Sequence, residues 1–339
     1  MMRVLHLITR MDGGGSAANT LLCATAQQRE GHAVVLAFGS SHESAMSVDE
    51  RQRVEEGLRA FREVGGCTET VSALMRRPGL HDWRAWRQIR RLVEQGFDIV
   101  HTHTSKAGAL GRLAAAGRAK VVHTPHGHIF HGYFGPLATY AFARIERWLA
   151  GRCDALIALT QAERDDHLRL GIGRRAQWHV VPSGVDVEAI AEQVAVRRNA
   201  SPPAWDAVSV GRLVPVKGMD RLIRAWESVC RRRSEARLAI IGDGPERERL
   251  QAMCRELGIQ EQVHFPGWVD PVPYLAAARC FCLLSFNEGM GRAVVEAFAA
   301  SLPCVVADVC GLSELVDDHV GVRVRADEPE EVADALLRE

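Results

Sequence analysis

Apolar residues recur along this chain in two alternating rhythms. Short β-branched runs read as buried strands, and between them come longer stretches whose apolar residues return every three or four positions, the helical period. The first run is Val4–Ile8, VLHLI. A glycine-rich turn follows, then a predicted helix from about Ser16 to Glu30 carrying Ala17, Leu21, Leu22, Ala24 and Ala26. Ala33–Phe38 predicts the next strand, and DIVHTHT (98–104), KVVHT (120–124), DALIALT (154–160) and WHVVP (178–182) predict more. Helices are expected near 83–94, 106–116, 136–150 and 162–170. The charged stretch from His42 to about Gly65 is not assigned by its period; a helix inserted after the second strand is the expectation there.

The rhythm then restarts. Asp206–Gly211 predicts a strand that enters a Pro/Lys/Gly loop and a helix from about Asp220. RLAIIGDG, VHFPG, CFCLLSF and PCVVAD are further strands, with helices near 246–257, 271–278, 292–300 and 330–338. The break falls around Pro182–Pro203, where Gly184, Asn199, Ser201, Pro202 and Pro203 suit a linker. Alternating strands and helices predict α/β architecture, with parallel sheets covered on both faces. Two doubly wound domains follow, residues 1–183 and 184–339, facing a cleft where open α/β sheets take ligands.

Composition narrows the functional classes. The 339 residues are 47% hydrophobic and 25% charged, which suits folded domains and excludes wholesale disorder. Lys+Arg and Asp+Glu are 42 each, so the chain lacks the basic excess of a nucleic-acid-binding protein. That zero conceals a division: residues 1–183 hold 24 basic and 17 acidic groups, net +7, and the remainder is net −7. No apolar run reaches the roughly 18 residues that span a bilayer, and the N-terminal run is too short for a secretion signal, so a cytoplasmic location is expected. The nine cysteines are odd in number and scattered without a C-x-x-C pair, as expected of reduced thiols.

Four places carry candidate chemistry. Asp12-Gly13-Gly14-Gly15-Ser16 opens a helix whose bare amides suit a phosphate or a sugar hydroxyl; a tight β-α turn explains the glycines equally well. Neither a dinucleotide G-x-G-x-x-G nor a Walker A motif is present. In VGRLVPVKGMD, Arg212 and Lys217 follow a strand and can neutralise a diphosphate, although solvated surface cations are the simpler account of the loop taken alone. In SFNEGMGRAVVEA, Glu288 lies at a strand end and Glu296 within the next helix. Gly289 and Gly291 open that helix, and paired carboxylates would suit the vicinal hydroxyls of a ribose or hexose. Six of the fourteen histidines (His101, His103, His123, His126, His128, His131) gather at two strand ends. Their spacing fits no standard zinc motif and no carboxylate interleaves them, so no metal is expected; polar packing with one or two functional imidazoles is.

Taken in order, the glycine turn, HTPHG, PSGVD, GRLVPVKG, IGDGPER, EGMGRAVVEA and CGLSELV resemble the retaining glycosyltransferases of family 4, which build bacterial glycans on the GT-B fold of two Rossmann-like domains. The resemblance covers nearly the whole chain. It implies a first domain that binds an acceptor and a second that binds a nucleotide-sugar, with UDP-sugar the favoured donor. It implies that Gly15 lies by the donor phosphate and that His126 approaches the transferred sugar. By the same resemblance Arg212 and Lys217 would hold the diphosphate, and Glu288 the sugar hydroxyls. Gly289, Met290 and Gly291 would offer amides, Glu296 would bind the ribose, and Val269 would sit near the base. Ser183, Met290 and Cys310 depart from the usual Asn, Phe and Gly, Met290 at the expected sugar pocket. The resemblance also implies a further helix that returns to the first domain; the sequence stops at Glu339, mid-pattern, where that helix would be expected to follow.

Charge stabilisation on the departing phosphate is the chemical requirement. With no Asp-x-Asp in the chain, cations and helix amides are expected to meet it without a metal. Retention, which the resemblance implies, proceeds by same-face attack of the acceptor hydroxyl assisted by that phosphate. The acceptor that the resemblance implies is a glycan or a lipid-linked glycan. Arg76, Arg77, Arg84, Arg87, Arg90 and Arg91 around Trp83 and Trp86 would fit the inner, anionic face of a membrane; a solvated helix face is the equal alternative. A nucleotide-sugar epimerase and a non-catalytic sugar-nucleotide-binding protein are the rival classes.

Overall fold

A computed structural model describes residues 1–40, 46–127, 135–199 and 203–339. Two compact units divide the chain, Met1–Gly184 and Val185–Glu339. His128, His131, Ser201 and Pro202 lie outside the described residues.

The first unit is built on seven strands: β1 (Arg3–Ile8), β2 (Ala33–Gly39), β3 (Cys67–Val71), β4 (Ile99–His103), β5 (Lys120–Thr124), β6 (Ala155–Ala158) and β7 (Trp178–Val180). They form one sheet in the order β3-β2-β1-β4-β5-β6-β7, every pairing parallel. Its helices are α1 (Gly15–Arg29), α2 (Val48–Glu63), α3 (His81–Val93), α4 (Ser105–Ala115), α5 (Pro136–Ala150) and α6 (Gln161–Arg169). Strand alternation sends Val4 and Ile8 to one apolar cluster, with Leu36 and Phe61, and Leu5 and Leu7 to another, with Val100, Val121 and Leu156. Helices therefore cover both faces. The charged stretch after β2 is the helix α2, capped by Ser47, whose hydroxyl accepts from the Glu50 amide at 3.1 Å.

The second unit begins with α7 (Val187–Arg198), in the stretch where the sequence suggested a linker. The Asp186 side chain caps this helix by accepting from the Ala189 amide at 3.1 Å. Only Val194 of the helix is fully buried, so its apolar residues show no single stripe from which to infer it. Six strands follow: β8 (Trp205–Val210), β9 (Leu238–Ile241), β10 (Val263–Gly267), β11 (Ala278–Leu283), β12 (Cys304–Ala307) and β13 (Gly321–Val324). Their order is β10-β9-β8-β11-β12-β13, again all parallel. The helices between and after them are α8 (Met219–Arg232), α9 (Arg247–Glu256), α10 (Val272–Ala276), α11 (Arg292–Ala299), α12 (Cys310–Leu315) and α13 (Pro329–Arg338). A continuous core runs through this unit, with Trp226 and Phe281 almost wholly enclosed.

Two strands escape the sequence reading, β3 (CTETV) and β13 (GVRV). Each lies at a sheet edge, where one side of the ladder and much of the surface stay open, and polar residues are tolerated there. The strand expected at Cys280–Phe286 also begins and ends earlier, at Ala278 and Leu283, so Glu288 stands in a loop beyond it.

Candidate active site

Both sheets reverse their strand order beside their first strand, β1 in one unit and β8 in the other. At such a reversal the loops leave in opposite directions and open a crevice at the carboxyl ends of the strands. Gly15 follows β1 at the first reversal and Arg212, Lys217 and Glu288 lie at the second, while His126 follows β5 and Val269 follows the outer strand β10.

In the second unit Arg212 and Lys217 follow β8, and Glu288 follows β11, its neighbour across the reversal. Lys217 Nζ forms an ion pair with Glu288 Oε1. The Ser285 hydroxyl lies 2.8 Å from the same oxygen and donates to it. Lys217 can reach there because Gly218 turns the chain with φ of 61°, where a Cβ would stand 2.2 Å from the Leu284 carbonyl oxygen. The Phe286 amide closes the two loops together by donating to the Val216 carbonyl at 2.8 Å. The sequence reading gave Lys217 a diphosphate and Glu288 a sugar; in this structure they hold each other.

Gly291 caps α11 in the left-handed region, φ 76°, and a Cβ there would press to 2.4 Å from Leu312 Cδ2. The Gly289 carbonyl is packed so closely that a Cβ on Gly311 would fall 2.1 Å from it. Met290 is buried, so its side chain fills the loop's interior; any effect on a sugar pocket runs through packing. One turn into α11, Glu296 accepts from Arg292 Nε at 3.1 Å. Burial pushes the Glu296 carboxyl up, opposed by Arg292, and Asp270 adds to the rise. Asp270 adjoins Val269, which is itself packed on the core.

In the first unit Gly15 opens α1 behind the cap residue Gly14. A Cβ on Gly15 would meet nothing within 4 Å, so neither packing nor backbone conformation demands a glycine. The preceding loop is fastened below: the Gly13 amide donates to Glu50 at 2.8 Å and the Gly14 amide to Asp12 at 3.1 Å.

His126 follows β5 with φ of 60°, an uncommon backbone state for a residue other than glycine. Glu163 anchors the turn, accepting from the Gly127 amide and from the Leu159 amide, each at 2.7 Å. Burial pushes Glu163 up to about 7, against the pull of those two amides. Behind His126 lie further imidazoles. His126 Nε2 is 2.8 Å from His103 Nδ1, and His103 Nε2 is 2.9 Å from His6 Nδ1. His6 Nε2 is 2.9 Å from Gln27 Oε1 on α1. His101 lies beside His6 across the strands and faces the Thr124 hydroxyl at 2.8 Å. His6, His101 and His103 bring nitrogen atoms within 4.8 Å of one another, close enough to invite a metal, but ring–ring and ring–hydroxyl hydrogen bonds already occupy several of them. Burial holds His6 and His126 down to about 4 and His101, His103 and His123 well below the usual histidine range, so the cluster is neutral. His6, Gln27 and Glu163 were missed by the sequence reading. The one available signal was His6 itself, a polar residue inside the apolar run VLHLI.

The basic helix α3 presents Trp83, which is 60% exposed, beneath the Arg87 guanidinium at 4.7 Å from its ring centre. Arg90 lies 5.5 Å from the Trp86 ring centre and also pairs with Glu94. Among the described residues no helix is long and apolar enough to cross a membrane.

Residues 13–189 match the family model described as Glycosyltransferase Family 4, and residues 191–338 match that of Glycosyl transferases group 1. The chain is 28% identical over 264 residues to the UDP-Gal:alpha-D-GlcNAc-diphosphoundecaprenol alpha-1,3-galactosyltransferase of Escherichia coli, covering 73% of this chain and 67% of that protein. It is 33% identical over 282 residues to the D-inositol 3-phosphate glycosyltransferase of Kribbella flavida, covering 75% and 65%. The chain thus spans about two thirds of the length of the curated relatives it matches. Among solved structures, Anabaena HepE in complex with UDP and glucose superposes with a TM-score of 0.78 at 21% identity, over 99% of this chain and 89% of that one. WaaG, a glycosyltransferase involved in lipopolysaccharide biosynthesis, superposes with a TM-score of 0.73 at 17% identity, over 99% and 90%.

Proposed function

This chain belongs to glycosyltransferase family 4 and has the two Rossmann-like sheets of the GT-B fold, and from that premise we propose that it moves a hexose-type sugar from a nucleoside-diphosphate sugar to a hydroxyl of a glycan or lipid-linked acceptor. Transfer retains the anomeric configuration and needs no metal. UDP-sugar is the donor to test first, and the acceptor belongs to polysaccharide or glycolipid assembly.

The observation that carries this reading is the meeting of Lys217 and Glu288 across the strand-order reversal of the second sheet. A cation and a carboxylate held together at the carboxyl edge suit a ligand with an anionic and a hydroxylated end. Lys217 and Arg212 stabilise the charge that grows on the departing diphosphate, and Glu288 orients the sugar through its hydroxyls. Gly289, Met290 and Gly291 offer amides at the start of α11, Glu296 takes the ribose, and Val269 lies near the base. Gly15 leaves room for the phosphate end, and His126 faces the reacting sugar. Attack comes from the acceptor hydroxyl on the face the phosphate leaves, and the phosphate oxygen takes the proton. The bond from the anomeric carbon to the phosphate oxygen breaks as the bond to the acceptor oxygen forms.

The test is a thermal-shift screen against UDP-, GDP- and ADP-sugars, followed by product analysis with the stabilising donor. Free nucleotide plus a lengthened acceptor is expected. An isomerised donor would make the protein an epimerase, and binding with neither transfer nor hydrolysis would make it a binding protein. The Trp83 and Arg87 pair on α3 supports a second element of the reading, peripheral contact of the basic first unit with anionic lipid.

A further inference from the structure

We propose that Gln27, His6 and His103 form a hydrogen-bonded relay that dictates which ring nitrogen of His126 carries the proton, leaving His126 Nδ1 as the acceptor for a hydroxyl of a sugar substrate. The inference rests on the placing of His126 at the sugar and gives the three residues behind it a positioning role.

The argument is one of counting protons. A neutral imidazole has one N–H and one lone pair, and each hydrogen bond between two rings uses one of each. The three rings and the amide stand in line at 2.8, 2.9 and 2.9 Å, so the bonds are coupled. At the far end His6 Nε2 faces the carbonyl oxygen of Gln27, which can only accept. His6 therefore carries its proton on Nε2, and its Nδ1 accepts from His103 Nε2–H. His103 Nδ1 is then an acceptor and takes the proton of His126 Nε2–H. The last ring is left with a bare lone pair on Nδ1. That atom is buried and has no hydrogen-bond partner among the described residues. A buried acceptor without a donor is uncommon and points to a missing ligand group.

The surroundings isolate the line. His101 is engaged by the Thr124 hydroxyl, and His123 Nδ1 by the Thr102 carbonyl at 3.1 Å and its hydroxyl at 2.9 Å. Among the described residues neither ring hydrogen-bonds to His126. The strained turn at His126 is meanwhile held by the Gly127 amide on Glu163, so its ring is oriented by the backbone as well as by the relay. Gln27 is only half-buried and sits on the outer helix α1, which makes it the accessible end of the line.

The test is nitrogen-15 NMR of the histidine-labelled protein, read without any substrate, in the wild type, Gln27→Leu and Gln27→Glu. In the wild type a pyridine-type Nδ1 and a pyrrole-type Nε2 are expected for His126. Gln27→Leu removes the terminal acceptor and is expected to mix the two tautomers at His126, three groups away. Gln27→Glu restores an acceptor oxygen and should restore the single tautomer. Where transfer is measurable, Gln27→Leu should lower kcat/KM about three- to tenfold, the worth of one hydrogen bond, and Gln27→Glu should recover most of it. The substrate whose KM rises identifies the sugar that supplies the hydroxyl. A protonated Nδ1 in the wild type, or an unchanged His126 spectrum in a folded Gln27→Leu protein, would overturn the relay. So would stoichiometric zinc bound to these rings. Because the spectra need no donor, a failed relay and a failed transferase assignment give different results.

Discussion

Lys217, Glu288 and Ser285 show how side chains from distant loops come to hold one another. The lysine ends a single 3-10 turn, Pro215–Lys217; Gly218 turns the chain after it and the Glu288 oxygen fixes its head. Lys217→Ala is expected to lower kcat about a hundred- to a thousandfold, as loss of one preorganised charge contact does, with a smaller change in donor KM. Unchanged turnover would reject the charge roles. Histidine burial sets a second expectation. Burial lowers His6 from 6.5 to about 4, with the Gln27 hydrogen bond opposing. The unfolded chain thus binds the proton first, so this contribution is full above about pH 6.5 and is lost as the pH falls through 4, worth about 3 kcal/mol. Glu163 works in the opposite sense, raised by burial from 4.5 to about 7, so its contribution is full below 4.5 and is lost as the pH rises through 7. Glu163→Gln should therefore make stability climb more steeply with pH between 4.5 and 7 than in the wild type. Urea midpoints measured across that range check the sign; equal slopes would refute it.

At the scale of elements, glycine and buried charge decide how closely helices and loops approach. Arg112 on α4 is fully buried and grips Glu146 on α5 through Nη2 at 2.9 and 2.8 Å. Glu146→Ala would leave a buried guanidinium without its counter-charge, at a cost of about 3–5 kcal/mol in chemical denaturation. A loss below 1 kcal/mol would mean that water reaches Arg112. Gly218→Ala would meet both the left-handed backbone, a penalty of about 1–2 kcal/mol, and the Leu284 carbonyl. The loop must then shift, and Lys217 with it, so turnover should fall further than stability does. The strands β9 (LAII) and β12 (CVVA) were legible because both their faces are buried and their apolar runs are unbroken, and β1, β4, β5 and β8 because short β-branched runs mark each of them despite His6, His101, His123 and Ser209. β3 and β13 were not, since edge strands carry residues such as Thr68, Glu69 and Arg323 that read as loop. The helix α7 was hidden by the prolines and glycine around it, although Asp186 announces its start.

For the whole molecule, each unit encloses its own apolar clusters, so each has the means to fold alone. Expressed by itself, Val185–Glu339 should unfold cooperatively and still be stabilised by the nucleotide; a molten product without nucleotide response would argue against a self-sufficient donor unit. The charge division, net +7 before Ser183 and at it, and net −7 after, assigns the lipid expectation to the first unit. That unit should sediment with vesicles containing anionic lipid and be released by salt, because exposed charges are screened within about 10 Å at 0.1 M. Binding indifferent to lipid charge would leave α3 a solvated face.

Periodicity, punctuation and motif order were enough to read two parallel α/β units and the family, because hydrophobic burial and turn chemistry act on neighbours in the chain. Lys217 and Glu288, 71 positions apart, could be named from their motifs, but their ion pair could not. The line from Gln27 through His6 and His103 to His126 joins a helix, two strands and a loop. Hydrogen bonds of 3 Å depend on strand order and register, and those emerge only when the sheet pairs β1 with β4.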